Sequence, residues 1–314
     1  MRYKILLVGC GQLGSRYLQG LKKLNLPLKI IVLDKNKKSL INGEAMWNSI
    51  NEKYDHQIIF KTKKPLNIKI FELCIVSTTS ENRFKLIKDL NNQYRINSWI
   101  IEKIIEQNPR LIKNISKLID NSKAWVNTPH RTSQWLSKIK KNSYKNTKNA
   151  KIWGSNYGLI TNAIHYLDLF TWWTKEKIEF IDTSELNVNW HESKRAGFLE
   201  TNGTLTAHYS NNYKIQIRCN DNHKNNIVVK LKLDEWTIDE IKGIAVNKNN
   251  KKIFGRIKYQ SEITSNIVKN ILIKGNCKLP TYLESAEIHY VYLAALLKKY
   301  NLDNKSSLKK ITIT

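Results

Sequence analysis

The pattern of apolar and polar positions divides the chain into two textures. Over the first 130 residues, compact apolar runs recur at 4–8, 29–33, 57–60, 72–77, 98–101 and 124–127. Between them, at 12–23, about 37–52, 81–91 and 108–120, apolar residues return at helical spacing. Runs of this kind read as strands covered on both faces, so the first half predicts a parallel sheet with crossover helices. Residues 139–149 are dominated by Lys, Asn and Ser and offer almost nothing to a core, so the first domain ends before them. Alternation takes over beyond that point. Residues 204–210 and 214–218, joined through Asn211-Asn212, then 227–233 and the stretch around 247–252, read as antiparallel strands and hairpins. The one clear late helix is 286–300, apolar at Ile288, Val291, Tyr292, Ala295 and Leu296, with Pro280 and Thr281 marking its approach.

The first strand leads without a gap into Gly9-Cys10-Gly11-Gln12-Leu13-Gly14 and then into helix. This is the order a Rossmann dinucleotide-binding turn requires: one glycine for the tight turn, one for backbone approach to a pyrophosphate, one for close packing of helix on strand. The second apolar run ends in Asp34, twenty residues beyond Gly14. A carboxylate there suits a ribose 2′-hydroxyl and repels a 2′-phosphate, which favours NAD over NADP, although Lys35, Lys37 and Lys38 blur the preference. Ser77, Thr78 and Thr79 leave the fourth strand with small hydroxyls that either lie along the nucleotide or only cap the next helix.

Composition bounds the rest. At 41% hydrophobic over 314 residues, the chain can build two domains with their own cores. No apolar run reaches the roughly 18 residues of a membrane span, and the first breaks at Gly9, too short for a signal-peptide core. The expectation is a cytoplasmic protein without membrane insertion. Cys10, Cys74, Cys219 and Cys277 are scattered, with no metal-ligand or redox spacing, and are expected reduced and mostly buried. The net charge of +27 raises nucleic-acid binding, because a basic surface attracts phosphate. Of 53 basic residues, however, only nine are arginine, and the lysines are spread along the whole chain with no basic helix or recognition motif. Codon bias towards Lys, Asn and Ile accounts for the charge equally well, so no nucleic-acid partner is expected. A positive field also helps recruit an anionic metabolite such as a sugar nucleotide.

Two groups of residues carry candidate chemistry. Glu102-Lys103 follows an apolar strand and so falls at the carboxyl edge of the sheet, where a lysine can hydrogen-bond a reacting hydroxyl and stabilise charge on its oxygen. Asn162-Ala163-Ile164-His165-Tyr166-Leu167-Asp168 reads as a helix with Asn162 and His165 on one face, and His165 is the best general-base candidate among seven histidines. Each has a plainer reading, as a solvated surface pair and as a core histidine.

Taken in order, the turn Gly9-x-Gly11-x-x-Gly14-Ser15-Arg16, the Glu102-Lys103 pair and the His165-Tyr166-Leu167-Asp168 helix resemble motifs of the glucose–fructose oxidoreductase / inositol dehydrogenase / MocA family, over nearly the whole chain. The resemblance implies an α/β fold with an N-terminal Rossmann domain at 1–122. A C-terminal α+β domain with a large open, mostly antiparallel sheet would follow at 123–280, with a closing helix and tail at 281–314 packing back towards the first domain. It implies hydride transfer between NAD, or NADP, and a sugar, sugar nucleotide or cyclitol, and a homodimer or tetramer formed through the C-terminal sheet. Lys103 and His165 take the catalytic roles; Gly9, Gly11, Gln12, Leu13, Gly14, Asp34, Ser77, Thr78, Thr79 and Glu102 hold the cofactor. Two departures stand out: Ile104 follows the lysine where the family usually has proline, and Thr161 precedes the histidine where it usually has aspartate, leaving Asn162 as the nearest replacement. Arg83 also stands near the point where the family carries a histidine.

Val126-Asn127-Thr128-Pro129-His130-Arg131, Ser193-Lys194-Arg195-Ala196-Gly197-Phe198 and the closing Ile311-Thr312-Ile313-Thr314 are similar to the branch that serves bacterial surface-polysaccharide and nonulosonic-acid biosynthesis. Arg131, Asn162, Lys194 and Arg195, with Lys103 and His165, are then the expected substrate contacts, and Glu200, Tyr282, Glu284 and His289 line the substrate wall. The alternative reading is a nucleotide-binding scaffold or regulator that has lost its chemistry. No metal site is expected.

Overall fold

The computed structural model describes residues 2–119, 123–143, 148–220 and 226–314. The expected boundary at 122 falls outside the described residues. The chain forms two compact units: one of residues 1–105, 113–127 and 258–282, the other of 106–112, 128–257 and 283–314.

The first unit begins with β1 (Tyr3–Val8), α1 (Gln12–Lys22), β2 (Leu28–Leu33), α2 (Lys37–Asn48) and β3 (His56–Lys61). β4 (Ile70–Phe71), β5 (Leu73–Val76), α3 (Arg83–Gln93), β6 (Arg95–Ile96), β7 (Ser98–Glu102), α4 (Pro109–Leu118, from 113 onwards in this unit) and β8 (Lys123–Asn127) follow. Among the described residues the main sheet runs β3-β2-β1-β5-β7-β8, parallel throughout, with β4 and β6 pairing separately. The strand order reverses between β1 and β5, and at such a switch point a crevice opens at the carboxyl ends of the strands. The central strands are buried on both faces, as their unbroken apolar runs require.

In the second unit α5 (Gln134–Lys141) precedes β9 (Asn149–Ser155), α6 (Leu159–Thr174), β10 (Ile178–Asp182), β11 (His191–Glu192) and β12 (Leu199–Glu200). The chain continues through β13 (Gly203–Tyr209), β14 (Tyr213–Asn220), β15 (Val228–Leu233), β16 (Trp236–Asp239), β17 (Ile244–Asn247) and β18 (Lys252–Phe254). The sheet order is β10-β13-β14-β9-β15-β16-β17-β18, antiparallel except for the β9–β14 pair. Alternation decides its faces. Ile215, Ile217 and Cys219 on β14 are buried, while Lys214 and Arg218 between them are not. α6 packs on this sheet, with Tyr209 donating to the Leu167 carbonyl at 3.1 Å.

The hairpin expected through Asn211-Asn212 forms, with both residues at positive φ, 58° and 63°. The stretch around 247–252 is likewise a hairpin, the turn of the antiparallel β17–β18 pair, where the Asn247 side chain accepts from the Asn249 and Lys251 N–H groups. Residues 139–149 are less empty than their composition suggests, because α5 carries Ile139 into the core beside Trp135 and Leu136.

The late region holds two helices. α7 (Gln260–Lys274) escaped the sequence pattern, and α8 runs further than expected, over Tyr282–Asp303. α7 belongs with the first unit and packs on α1 where a Cβ on Gly20 would lie 2.4 Å from Thr264 Cβ. That close approach needs a small residue on each side, so Thr264 interrupts the apolar stripe of Ile263, Ile267, Val268 and Ile271. The chain from 283 to 314 groups with the second unit, where buried Ile311 and Ile313 fix the tail and the Thr312 carbonyl accepts from the Leu199 N–H at 2.7 Å.

Candidate functional site

The glycine turn is built as the chemistry demands. Gly9 ends β1 at φ 94°, and a Cβ there would meet the Thr78 nitrogen at 2.8 Å. At Gly14 a Cβ would meet the Gly9 oxygen at 2.1 Å, so helix and strand touch through bare backbone. Gly11 differs: nothing lies within 4 Å of its Cβ direction, and it heads α1 without a side-chain cap. An uncapped helix start facing open space, with no acidic residue in its first turn, is where an anionic phosphate is accepted. The residues present therefore fit a dinucleotide. Gln12 and Leu13 occupy this first turn.

Asp34 closes β2 beside the turn. One of its oxygens accepts from the Cys10 N–H at 2.6 Å and the other from the Asn36 N–H at 2.8 Å. Burial, reinforced by Asp34, pushes the Cys10 thiol up to about 11, so this cysteine in the turn is no nucleophile at neutral pH. Ser77 donates to the Gly9 carbonyl at 2.7 Å and the Val8 carbonyl at 3.1 Å, tying the loop after β5 to the turn. α3 starts after Asn82, which stands in the left-handed region and makes no side-chain cap of its own. Thr78 and Thr79 are half-buried alongside, the Thr78 hydroxyl donating to the Thr79 carbonyl at 3.1 Å.

Arg83 is fully buried, and its guanidinium donates to the carbonyls of Thr78, Glu102, Ile104 and, at 3.5 Å, Ile105. It stitches the loop after β5 to the loop that carries Lys103. The Lys103–Ile104 peptide is cis, and Lys103 itself is half-buried. Glu102, 3% exposed, accepts from the Tyr17 hydroxyl and from Asn127 Nδ2 at 2.6 Å, and Asn127 also donates to Gln260 at 2.7 Å. Burial raises the Glu102 carboxyl above its ordinary range. Its visible work is to anchor the end of β7.

In the second unit His165 is half-buried on α6. Thr161, a turn earlier, holds no carboxylate but is supplied with one. Glu200 Oε1 accepts from the Ile160 N–H at 2.5 Å, and Oε2 accepts from the Thr161 N–H at 3.2 Å and hydroxyl at 3.0 Å. Glu200 is 5% exposed, and its burial raises its carboxyl despite these donors. Asn162, expected to fill the place, instead donates to the Tyr157 and Gly158 carbonyls at 2.5 and 3.1 Å. Its amide closes the turn into α6.

Arg131, expected at the substrate, forms a two-pronged pair with Asp168: Nε donates to Oδ2 at 2.9 Å and Nη2 to Oδ1. Both are buried, and Glu284 lies 3.6 Å from the third nitrogen. Lys194 and Arg195 lie in an exposed turn, where Lys194 reaches the Asn156 carbonyl at 3.3 Å. His289 is buried against the Ser285 carbonyl of its own helix at 2.8 Å, and Tyr282 is buried at the start of α8. His130, quoted in the Val126–Arg131 motif but assigned no role there, sits in the 3₁₀ turn Pro129–Thr132 with its ring 5.2 Å from that of His165. All four cysteines are free, and Cys277 alone is only half-buried. Among the described residues no cluster of metal-ligating side chains occurs, and no helix is long and apolar enough to cross a membrane.

No protein-family model and no curated protein matches the chain. Solved structures do match along nearly all of it. An oxidoreductase from Agrobacterium radiobacter, in complex with NAD+, L-tartaric acid and magnesium, has a TM-score of 0.69 at 13% identity, covering 96% of this chain and 96% of its own. myo-Inositol dehydrogenase from Lactobacillus casei, in complex with NAD(H) and myo-inositol, has 0.66 at 14% identity, covering 97% and 95%. The transcriptional regulator Gal80p from Kluyveromyces lactis has 0.69 at 10% identity, covering 98% and 91%. What is shared is the fold, a parallel Rossmann-like sheet followed by a mostly antiparallel one, as in glucose–fructose oxidoreductase / inositol dehydrogenase / MocA enzymes.

Proposed function

We propose that this chain is an NAD-dependent oxidoreductase acting on a hydroxyl or keto group of a sugar, sugar nucleotide or related polyol, with bacterial surface-glycan biosynthesis as its setting. The observation that carries the reading is the turn at 9–14, where two glycines are closed by backbone contact and the third is open in front of an uncapped helix. NAD, when bound, supplies the hydride acceptor or donor. Gly9, Gly11, Gln12, Leu13 and Gly14 hold its phosphates, Asp34 takes the ribose hydroxyls, and Ser77, Thr78 and Thr79 flank it. The negative charge at Asp34 favours NAD over NADP. Glu102 acts from behind, through β7.

Lys103 hydrogen-bonds the reacting oxygen and stabilises the negative charge that develops there as the C–H bond breaks. His165 takes the hydroxyl proton in the oxidative direction and returns it in the reductive one. Lys194 and Arg195, exposed and cationic, suit an anionic part of the substrate, whereas Arg131 supports α6 through Asp168. The uncovered face of the C-terminal sheet suits a homodimer or tetramer.

The test has two stages. Calorimetric titration with NAD+ and NADP+ is expected to show tighter binding of NAD+, and NADH formation is then followed with myo-inositol, free sugars and uridine-diphosphate sugars. Cofactor binding without turnover on the whole panel would favour a non-catalytic regulator instead, a reading supported by the fold shared with Gal80p. Failure to bind either dinucleotide removes both readings.

A further inference from the structure

The segment that leaves β7 is held on both sides of Lys103. Glu102, Ile104 and Ile105 are 3%, 0% and 0% exposed, and Lys103 is the one residue of the four that is not fully buried. The Glu102 carboxylate accepts from the Tyr17 hydroxyl of α1 and from Asn127 Nδ2 at the end of β8, which fixes the residue before the lysine. A single nitrogen of Arg83, Nη1, donates to the carbonyls of Glu102 and Ile104, one before and one after Lys103, with the Ile105 carbonyl at 3.5 Å.

The other end of the same guanidinium reaches towards the glycine turn. Nη2 donates to the Thr78 carbonyl. Thr78 follows Ser77, whose hydroxyl donates to the Gly9 carbonyl at 2.7 Å, and a Cβ on Gly9 would lie 2.8 Å from the Thr78 nitrogen. One planar group therefore spans from the loop packed on the glycine turn to both flanks of the lysine.

Loop carbonyls can be satisfied by water or by separate neutral donors, and a cation taken wholly out of water carries a desolvation penalty that neither of those does. Arg83 is 0% exposed. What its guanidinium adds is geometry, because its donors lie in one rigid plane and the carbonyls it holds are kept in fixed relation to one another.

We propose that Arg83 is a positioning residue for Lys103. By holding the carbonyls before and after the lysine to the loop beside the glycine turn, it fixes the backbone from which the amine extends, and so fixes the base of that side chain relative to the nucleotide. A misplacement of about 1 Å at a reacting group can lower a rate about 100-fold, so a brace of this kind acts on the reaction without touching the substrate. The inference deepens the proposed reaction and rests on Lys103 having the role assigned to it there.

The test compares Arg83→Met and Arg83→Lys with the unsubstituted full chain, each carrying lysine labelled with 13C at Cε, the Lys103 signal being identified by its loss in Lys103→Arg. R83M keeps much of the side-chain volume without a donor and is expected to shift or split the Lys103 signal while the other lysine signals stay in place. R83K, which can still reach part of the carbonyl set, is expected to fall between. A Lys103 signal unmoved in R83M overturns the proposal, as does an equal disturbance of lysine signals throughout the chain. If R83M fails to fold, an R83K spectrum identical to the unsubstituted one overturns it as well. NADH formation with myo-inositol provides a separate arm, in which R83M lowers kcat about ten- to a hundredfold, KM for myo-inositol stays within about twofold, and R83K recovers part of the loss. A Lys103 signal that moves in R83M of an inactive parent chain would remove the dehydrogenase reading and leave the positioning role standing. An unmoved signal in an active one would do the reverse.

Discussion

The two units expose chemistry by opposite means. In the N-terminal unit the groups open to a phosphate are backbone, the uncapped start of α1 behind Gly11, with Asp34 and Lys103 as the side chains proposed to reach a ligand. In the C-terminal unit the candidate groups are side chains, gathered from α6, the turn at 129–132 and β12. A site made of backbone depends on what is missing, since it fails when a side chain is added. A site made of side chains fails when one is removed, and its parts can be exchanged only if another segment supplies the group, as Glu200 does at Thr161.

Adding one side chain tests the first half of this contrast. Gly14→Val places carbon 2.1 Å from the Gly9 oxygen, so the turn must open. NAD+ affinity is expected to fall at least about 100-fold, or about 2.7 kcal/mol, by calorimetry. Deleting one tests the second half. His165→Ala is expected to lower turnover by about a hundred- to ten-thousandfold while NAD+ affinity stays within about twofold. Loss of cofactor binding in this variant would mean that the two halves do not divide the labour as described.

Arg83→Met removes a brace rather than a site. It leaves the Thr78, Glu102 and Ile104 carbonyls without that donor, at a cost of about 1–3 kcal/mol in unfolding free energy, read from urea denaturation. The smallest effect is expected at Glu200→Gln, within about 1 kcal/mol at neutral pH for the charge at the start of α6. Its pH dependence is more telling. Burial raises the Glu200 carboxyl, so the folded chain binds its proton more readily than the unfolded one. Glu200 therefore stabilises the fold progressively as pH falls from neutral into the carboxyl range and weakens it as pH rises. Urea midpoints at pH 5 and 7 should show the unsubstituted protein losing ground to E200Q as pH rises, and an equal difference at both would contradict the assignment.

The same contrast explains what the amino-acid sequence revealed. The glycine turn, the parallel order and the hairpin at 203–220 rest on neighbours in sequence, and spacing is enough to see them. The carboxylate that reaches Thr161 comes from 39 positions away, and Tyr166 meets Glu240 across 74. No local pattern encodes such meetings. α7 stayed hidden for a different reason: it meets Gly20 through Thr264, so a polar residue is as fully buried as the apolar Val268 beside it. Arg131 and Asn162 show the same limit from the other side, because sequence spacing does not reveal that Asp168 and two carbonyls accept their hydrogen bonds.

One side chain joins what the sequence presents as separate traits. Arg83 holds with a single guanidinium both the loop of Ser77–Thr79 and the loop of Lys103. On the proposed reading, grip on a nucleotide and placement of the amine are therefore inherited together. Changes made at the first loop to alter cofactor contact are then expected to shift the second, and a screen of either should vary positions 77–79 and 103–105 as one library.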